Sequence, residues 1–134
     1  MKSLLNSLFL FVVVIFLSSC KKIGPESIIG KWNIQEDLTY VGVGSNNHSV
    51  SYAGQPDDYF NFTSDGHIYS RENSILDTLS YRVSSGSVMI PNFDDAGGVG
   101  KGEIKSSSTH SLSISSGTII TPGGAFGRTV SLKR

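Results

Sequence analysis

Apolar residues follow two different rhythms along this chain. Before position 20 they form an almost unbroken run from Leu4 to Leu17, behind the positive charge of Lys2. After position 28 they alternate with polar residues in short segments, and clusters of Gly, Pro, Asn, Asp and Ser separate these segments. A period of two is typical of β-strands with one buried face. The pattern therefore predicts an apolar leader followed by a β-rich domain.

The first alternating segment is the longest and begins at Ile29. If its alternation is uninterrupted, one face is directed inward and carries a single carboxylate. The predicted inward residues are Trp32, Ile34, Glu36, Leu38 and Tyr40, and the predicted outward residues are Asn33, Gln35, Asp37 and Thr39. Gly, Ser and Asn crowd the next stretch, which predicts a long surface loop from Val41 to Asp57.

A β-hairpin is the clearest local prediction. Ser64-Asp65-Gly66 separates the alternating runs Tyr59–Thr63 and His67–Arg71. Asp-Gly favours a tight turn because Gly adopts a positive φ at little cost. We expect Phe60, Phe62 and Ile68 to face the core.

Five more strands are predicted after a turn at Glu72 to Ser74. Their alternating residues are Ile75, Asp77, Leu79, Tyr81 and Val83 in the fourth strand, Val88 and Ile90 in the fifth, Gly102, Ile104 and Ser106 in the sixth, Leu112 and Ile114 with an extension to Ile120 in the seventh, and Arg128, Val130 and Leu132 in the eighth. No helical segment is long enough for a crossover, so neighbouring strands should be antiparallel. We expect an all-β fold, an eight-stranded antiparallel up-and-down barrel, with a two-sheet sandwich as the alternative.

Size and charge limit the possible functions. About 115 residues follow the apolar leader, enough for one domain. The 11 basic and 11 acidic residues give a formal net charge of zero, so no nucleic-acid partner is expected. Cys20 is the only cysteine, which excludes an intramolecular disulfide.

The leader ends in Leu17-Ser18-Ser19-Cys20, which resembles the lipobox of bacterial lipoproteins. Its apolar run is shorter than the roughly 20 residues of a membrane-spanning helix. The resemblance implies cleavage before Cys20 and lipid attachment to it, hence a signal peptide at 1–19, a lipidated cysteine and tether at 20–27, and a domain at 28–134. Lys21, in place of the Asp typical of inner-membrane retention, favours the outer membrane, and the face is left open. An uncleaved anchor or a plain secretory peptide is the alternative.

The domain resembles the small lipocalin-like lipoproteins of Gram-negative bacteria. The resemblance is carried, in order, by Ile29-Gly30-Lys31-Trp32, by Phe60-Asn61-Phe62-Thr63-Ser64-Asp65-Gly66 and by Tyr81-Arg82-Val83. It implies that Gly30 and Trp32 close one barrel end. It also implies an arginine over the indole, for which we expect Arg128, with Glu36 nearby.

If the chain binds a small apolar or amphipathic ligand, the expected place is the barrel interior and its open end. The candidate ligand-binding residues are Glu36, Leu38, Tyr40, Phe60, Phe62, Ile68, Leu79 and Tyr81. The same residues also suit a filled core. In that case the chain is a structural or interaction lipoprotein whose loops meet an envelope protein or glycan.

Catalysis has little support in the sequence. His48, His67 and His110 lack a second histidine at ligand spacing, and no activated-serine motif occurs. Asp94 and Asp95 lie in a predicted loop from Asn92 to Gly100 without calcium-loop spacing. Glu36 and Asp77 are the only candidate carboxylate pair. We expect no enzyme, no metal and no cofactor.

Overall fold

Strands in which apolar and polar residues alternate fold into one antiparallel, barrel-shaped sheet. The computed structural model describes residues 25–84, 87–93 and 101–134. The predicted signal peptide, Cys20 and the loop acids Asp94 and Asp95 lie outside the described residues. Within the described part, no helix has the length and hydropathy that crossing a membrane requires.

In the described ranges, a four-residue helix precedes eleven strands. In chain order the elements are α1 (Pro25–Ile28), β1 (Gly30–Val43), β2 (Asn46–Ala53), β3 (Tyr59–Phe62), β4 (His67–Glu72), β5 (Ile75–Ser80), β6 (Arg82–Ser84), β7 (Ser87–Pro91), β8 (Lys101–Ser107), β9 (Ser111–Ser115), β10 (Ile119–Thr121) and β11 (Gly124–Lys133).

Nine of the strands follow one another around the barrel. Their order is β5-β4-β3-β1-β11-β9-β8-β7-β6, and every pair is antiparallel. The two edge strands, β5 and β6, are separated along the chain only by Tyr81, and β5 also contacts β7. The sheet is therefore nearly closed. The remaining two strands, β2 and β10, pair with the far halves of β1 and β11 and lengthen the wall at one end.

The hairpin prediction is confirmed, and the long-loop prediction is wrong. Phe62 pairs with Ile68 across the turn, where Gly66 has a φ of 86°. In the predicted loop, β1 continues to Val43 and turns at Gly44 into β2, which pairs with β1 over its whole length. The predicted seventh strand divides into β9 and β10 because the two pieces pair with different parts of β11.

A β-bulge at Gln35 overturns the predicted faces of β1. Ile34 pairs with Leu132, yet Glu36 pairs with the next residue of β11, so Gln35 is an extra residue. The alternation changes phase there. Asp37 consequently faces inward and is 3% exposed, whereas Glu36 and Leu38 are exposed on the outside.

The core fills the barrel end where β1 begins and β11 ends. Trp32 is fully buried, and its Nε1 donates to the Ile28 carbonyl oxygen at 2.7 Å. Other buried apolar residues around it are Ile34, Phe60, Phe62, Ile68, Tyr81, Val88, Ile90, Phe93, Leu112, Ile114, Val130 and Leu132. We call this part the closed half.

An arginine does cover Trp32, but it is Arg134 and not Arg128. The Arg134 guanidinium lies 3.9 Å from the indole centroid, and its Nη2 donates to the Ser27 carbonyl oxygen at 2.6 Å. Gly30, with a φ of 115°, lies directly beside it. Arg128 lies too far along β11 to reach the indole, because it pairs with Thr39, seven residues after Trp32.

Candidate functional site

A cavity of about 320 Å³ opens at the barrel end opposite Trp32. Inward residues of β1, β2, β3, β4, β5 and β11 line it, because alternation directs every second side chain to the interior, and the turn between β4 and β5 adds Asn73. They are Asp37, Thr39, Val50, Tyr52, Phe60, Ser70, Glu72, Asn73, Ile75, Asp77, Leu79 and Arg128. We call this space the open-end cavity.

Arg128 joins two carboxylates at the floor of the open-end cavity. Its Nε donates to Asp37 Oδ2 at 2.7 Å, and its Nη2 contacts both Asp37 and Glu72, the latter at 2.7 Å. Its Nη1 donates to the Phe93 carbonyl oxygen at 3.1 Å. The side chains of Arg128, Asp37 and Glu72 are 13%, 3% and 26% exposed, so their charges are only weakly screened by water.

We call Arg128, Asp37 and Glu72 the Arg128 cluster, and its two carboxyl groups differ in environment. Burial and the neighbouring charge of Asp37 raise the pKa of Glu72 to about 7, against the opposing effect of Arg128. A protonated Glu72 is able to donate a hydrogen bond to Asp37. Asp37 Oδ1 is the one buried side-chain polar atom without a hydrogen-bond partner in the described part of the chain. The floor therefore holds an acceptor that a proton or a ligand can satisfy.

A second buried carboxylate, Asp58, fixes the wall of the cavity. It is 2% exposed and accepts hydrogen bonds from the Tyr52 hydroxyl and from the backbone N–H groups of Gln55 and Asn73, at 2.8 and 3.1 Å for the last two. Burial alone would raise the pKa of Asp58, but these hydrogen bonds hold it below its ordinary value. They tie β2 to the turn between β4 and β5.

Two apolar side chains lie at the entrance of the cavity, near the exposed carboxylate of Asp77. Val50 on β2 and Ile75 on β5 face the interior and are 56% and 69% exposed. Leu79 and Phe60 lie deeper in the lining. Apolar side chains at the entrance and a charged floor together suit a molecule with an apolar part and a polar group.

The predicted ligand-binding residues fall into three groups. Phe60 and Leu79 line the open-end cavity, and Phe60 also packs against the closed half, so it lies at the boundary between the two. Phe62, Ile68 and Tyr81 are packed in the closed half, where the Tyr81 hydroxyl donates to the Thr63 carbonyl oxygen at 2.6 Å.

The third group, Glu36, Leu38 and Tyr40, was predicted to face inward, and this is wrong because the bulge turns them to the outer face. Glu36 instead accepts a hydrogen bond from Ser51 at 2.7 Å. The predicted pair of Glu36 and Asp77 is wrong for the same reason, since only Asp77 faces the cavity. The carboxylates that do approach each other are Asp37 and Glu72.

Sequence reasoning missed several residues of this site. Val50 and Tyr52 lie in the predicted loop, and Glu72 lies in the predicted turn from Glu72 to Ser74. The only local sign of the bulge is Gly54, whose N–H donates to the Gln35 carbonyl oxygen at 3.1 Å. A Cβ on Gly54 would lie 2.1 Å from the Ile34 carbonyl oxygen, so only glycine fits there.

Metal-binding geometry is not found within the described ranges, where no group of three or more His, Cys, Asp or Glu residues is placed to hold an ion. His48, His67 and His110 are all exposed. Comparisons of this chain with protein-family models, with curated proteins and with solved structures find no match.

Proposed function

We propose that this chain is a lipid-anchored, lipocalin-like protein of the bacterial cell envelope that binds a small amphipathic molecule. The observation that carries the proposal is the open-end cavity of about 320 Å³. Ligand pockets range from about 300 to 1,000 Å³, and they combine apolar walls with a few fixed polar groups. The cavity has this composition, with Val50, Ile75 and Leu79 above the Arg128 cluster.

The strand order supports the lipocalin-like assignment. If β5 and β6 are counted as one strand bent at Tyr81, eight strands surround the barrel. Apart from the added β2 and β10, each then lies beside its neighbours in sequence, which is up-and-down topology. Gly30 and Trp32 at the closed end, under Arg134, agree with the arrangement expected of such barrels.

The anchor is proposed from the lipobox-like Leu17-Ser18-Ser19-Cys20, and the outer membrane from Lys21. Several acyl chains on Cys20 would hold the domain stably at the membrane. In a Gram-negative host, radiolabelled palmitate should label the wild-type chain and leave the Cys20→Ser chain unlabelled. Labelling of both chains would exclude Cys20 as the anchor.

Native mass spectrometry of residues 21–134 purified gently from cells tests the binding proposal. We expect a reproducible small-molecule adduct that organic extraction releases. Ile75→Lys should abolish the adduct and Leu76→Lys should preserve it, because these exposed neighbours lie on opposite faces of β5 and only Ile75 lines the cavity. Equal effects of the two variants would contradict binding in the cavity. The proposed role is binding, without catalysis.

Exposed apolar residues on the outer surface favour a second candidate, an interaction lipoprotein. Leu76 and Ile120 are 72% and 84% exposed. A photo-crosslinking amino acid at either position should then capture one reproducible envelope protein in cells, while native mass spectrometry shows no bound molecule. Absence of any such crosslink would exclude this candidate.

A further inference from the structure

Acidic side chains outnumber basic ones in the lining of the open-end cavity. Acidic side chains line it from three strands, Asp37 on β1, Glu72 on β4 and Asp77 on β5. Asp58 is buried behind this lining and accepts hydrogen bonds from the lining residues Tyr52 and Asn73. Arg128 is the only cation among the described residues that line the cavity. The lining is therefore net negative when its carboxyl groups are ionised.

Arg128 is already engaged by the protein. Each of its three guanidinium nitrogens donates a hydrogen bond, to Asp37, to Glu72 or to the Phe93 carbonyl oxygen. An anionic ligand would have to displace a carboxylate from Arg128 and would then face the displaced charge. A carboxylate or phosphate head group is thus disfavoured in this cavity.

Asp37 supplies an independent indication of the ligand's chemistry. Its side chain is 3% exposed and lines the cavity, and its Oδ1 has no hydrogen-bond partner. Buried acceptors are rarely left unpaired, because burial removes their hydrogen bonds to water and an unpaired acceptor gains no other donor in exchange. A donor group within the cavity would satisfy this oxygen.

Building on the proposed function, we infer that the open-end cavity selects a small single-chain amphipathic primary amine. Its ammonium group donates to Asp37 and Glu72, while its alkyl chain lies against Val50, Ile75 and Leu79. The ammonium group supplies three donors and a positive charge, which match the unpaired oxygen and the acidic lining. A volume of about 320 Å³ is at the small end of ligand pockets and suits one short chain better than a two-chain lipid.

Binding of the amine is coupled to a proton. Glu72 is faced by Asp37 from β1, Arg128 from β11, Asp77 from β5, and Tyr52 with Asp58 from the wall. Burial raises the pKa of Glu72 to about 7, so below that pH its proton is available to Asp37. The ammonium group replaces this proton, which passes to solvent. Affinity should therefore rise by up to tenfold per pH unit between pH 5 and 7 and level off above pH 7.

Isothermal titration of residues 21–134 at pH 5, 6, 7 and 8 tests the inference with three probes of equal chain length. These are octylamine, 1-octanol and octanoate. At pH 8 octylamine should bind at least tenfold more tightly than 1-octanol, and octanoate more weakly than 1-octanol. Below pH 7 octylamine binding should release a proton, detected as heats that vary with the ionisation enthalpy of the buffer.

Two glutamate variants form a matched pair. Glu72→Gln should remove the pH dependence of octylamine affinity, and Glu36→Gln on the outer face should retain it. If Glu72→Gln does not unfold cooperatively, Asp77→Asn provides the second test, because Asp77 is exposed at the entrance and outside the Arg128 cluster. Asp77→Asn should weaken octylamine binding several-fold without weakening 1-octanol binding.

The outcomes separate the two proposals. Equal affinity for octylamine and 1-octanol, or tighter binding of octanoate, would overturn amine selectivity and leave the binding function standing. Failure of all three probes to bind would count against the binding function itself.

Discussion

At the scale of single residues, the decisive feature is a largely enclosed arginine shared by two carboxylates. Arg128 contacts Asp37 and Glu72 with little exposure to water, so none of the three charges is fully solvated. Removing one partner from such a cluster is costly because the remaining charge stays buried. Stability and the chemistry of the cavity floor therefore depend on the same side chains.

Arg128→Met should lower the free energy of unfolding by about 3–5 kcal/mol, since it leaves Asp37 buried and unpaired. Urea denaturation measures this, and Arg82→Met on the exposed strand β6 should change stability by less than about 0.5 kcal/mol. The double variant Arg128→Met/Asp37→Leu should be more stable than Arg128→Met alone. A double variant that is equally unstable would show that the buried charge is not the cause.

Glu72 makes stability depend on pH in an unusual direction. Its pKa is about 7 in the folded chain and about 4.5 when unfolded, so the folded chain binds more protons between these values. The contribution of Glu72 to the free energy of unfolding is complete below pH 4.5 and is lost as pH rises toward 7. In urea unfolding, the free energy that Glu72 contributes should decrease between pH 5 and 8. The Glu72→Gln variant should lack this decrease. If the slope of unfolding free energy against pH were unchanged in Glu72→Gln, this would contradict the assignment of the pH dependence to Glu72.

At the scale of elements, the bulge at Gln35 decides which residues reach the cavity. Alternation predicts strand faces only while it is uninterrupted, and one extra residue exchanges the faces from there on. The prediction was therefore right for Trp32 and Ile34 and wrong for Glu36 and Leu38. Gly54 alone does not predict a bulge, because glycine is common in loops.

Local signals predicted tight turns well and distant pairing poorly. The turn at Gly66 follows from Asp-Gly chemistry within a few residues. Strand β2 has no buried face of its own, and all its residues except Tyr52 are exposed. It forms because it pairs with β1, so its composition alone resembles a loop.

Gly54→Ala should destabilise the chain by about 1–3 kcal/mol, because the added Cβ would meet the Ile34 carbonyl oxygen at 2.1 Å. Gly123→Ala is the matched control, since the nearest atom to its Cβ would be Thr121 Oγ1 at 3.8 Å. Thermal unfolding followed by circular dichroism compares them. Equal melting temperatures for the two variants would contradict the close approach at the bulge.

At the scale of the whole molecule, the barrel has two halves with different roles. The closed half is packed around Trp32, and the open half contains the cavity above Arg128. The sequence left a filled core and a cavity as alternatives, and the fold contains both. Some candidate residues line the cavity and others pack in the closed half, while the bulge turns Glu36, Leu38 and Tyr40 to the outer face. Composition does not specify these positions.

The two halves should respond separately to substitution. Leu112→Ala in the closed half should cost about 2–5 kcal/mol of unfolding free energy and leave the affinity for 1-octanol unchanged. Ser70→Leu should fill part of the cavity and abolish binding while the chain stays folded. Denaturation and titration calorimetry on both variants measure the two effects. Loss of binding in a folded Leu112→Ala chain would contradict this division.

If the proposed function holds, the open half binds an amphipathic molecule and the closed half does not. Nuclear magnetic resonance of ¹⁵N,¹³C-labelled residues 21–134, titrated with 1-octanol, tests this claim most directly. We expect saturable shifts at cavity residues such as Val50, Ser70, Ile75 and Leu79, and unchanged signals at Phe62, Leu112 and Leu132. Shifts confined to the outer surface, or no saturable shifts at all, would contradict the claim.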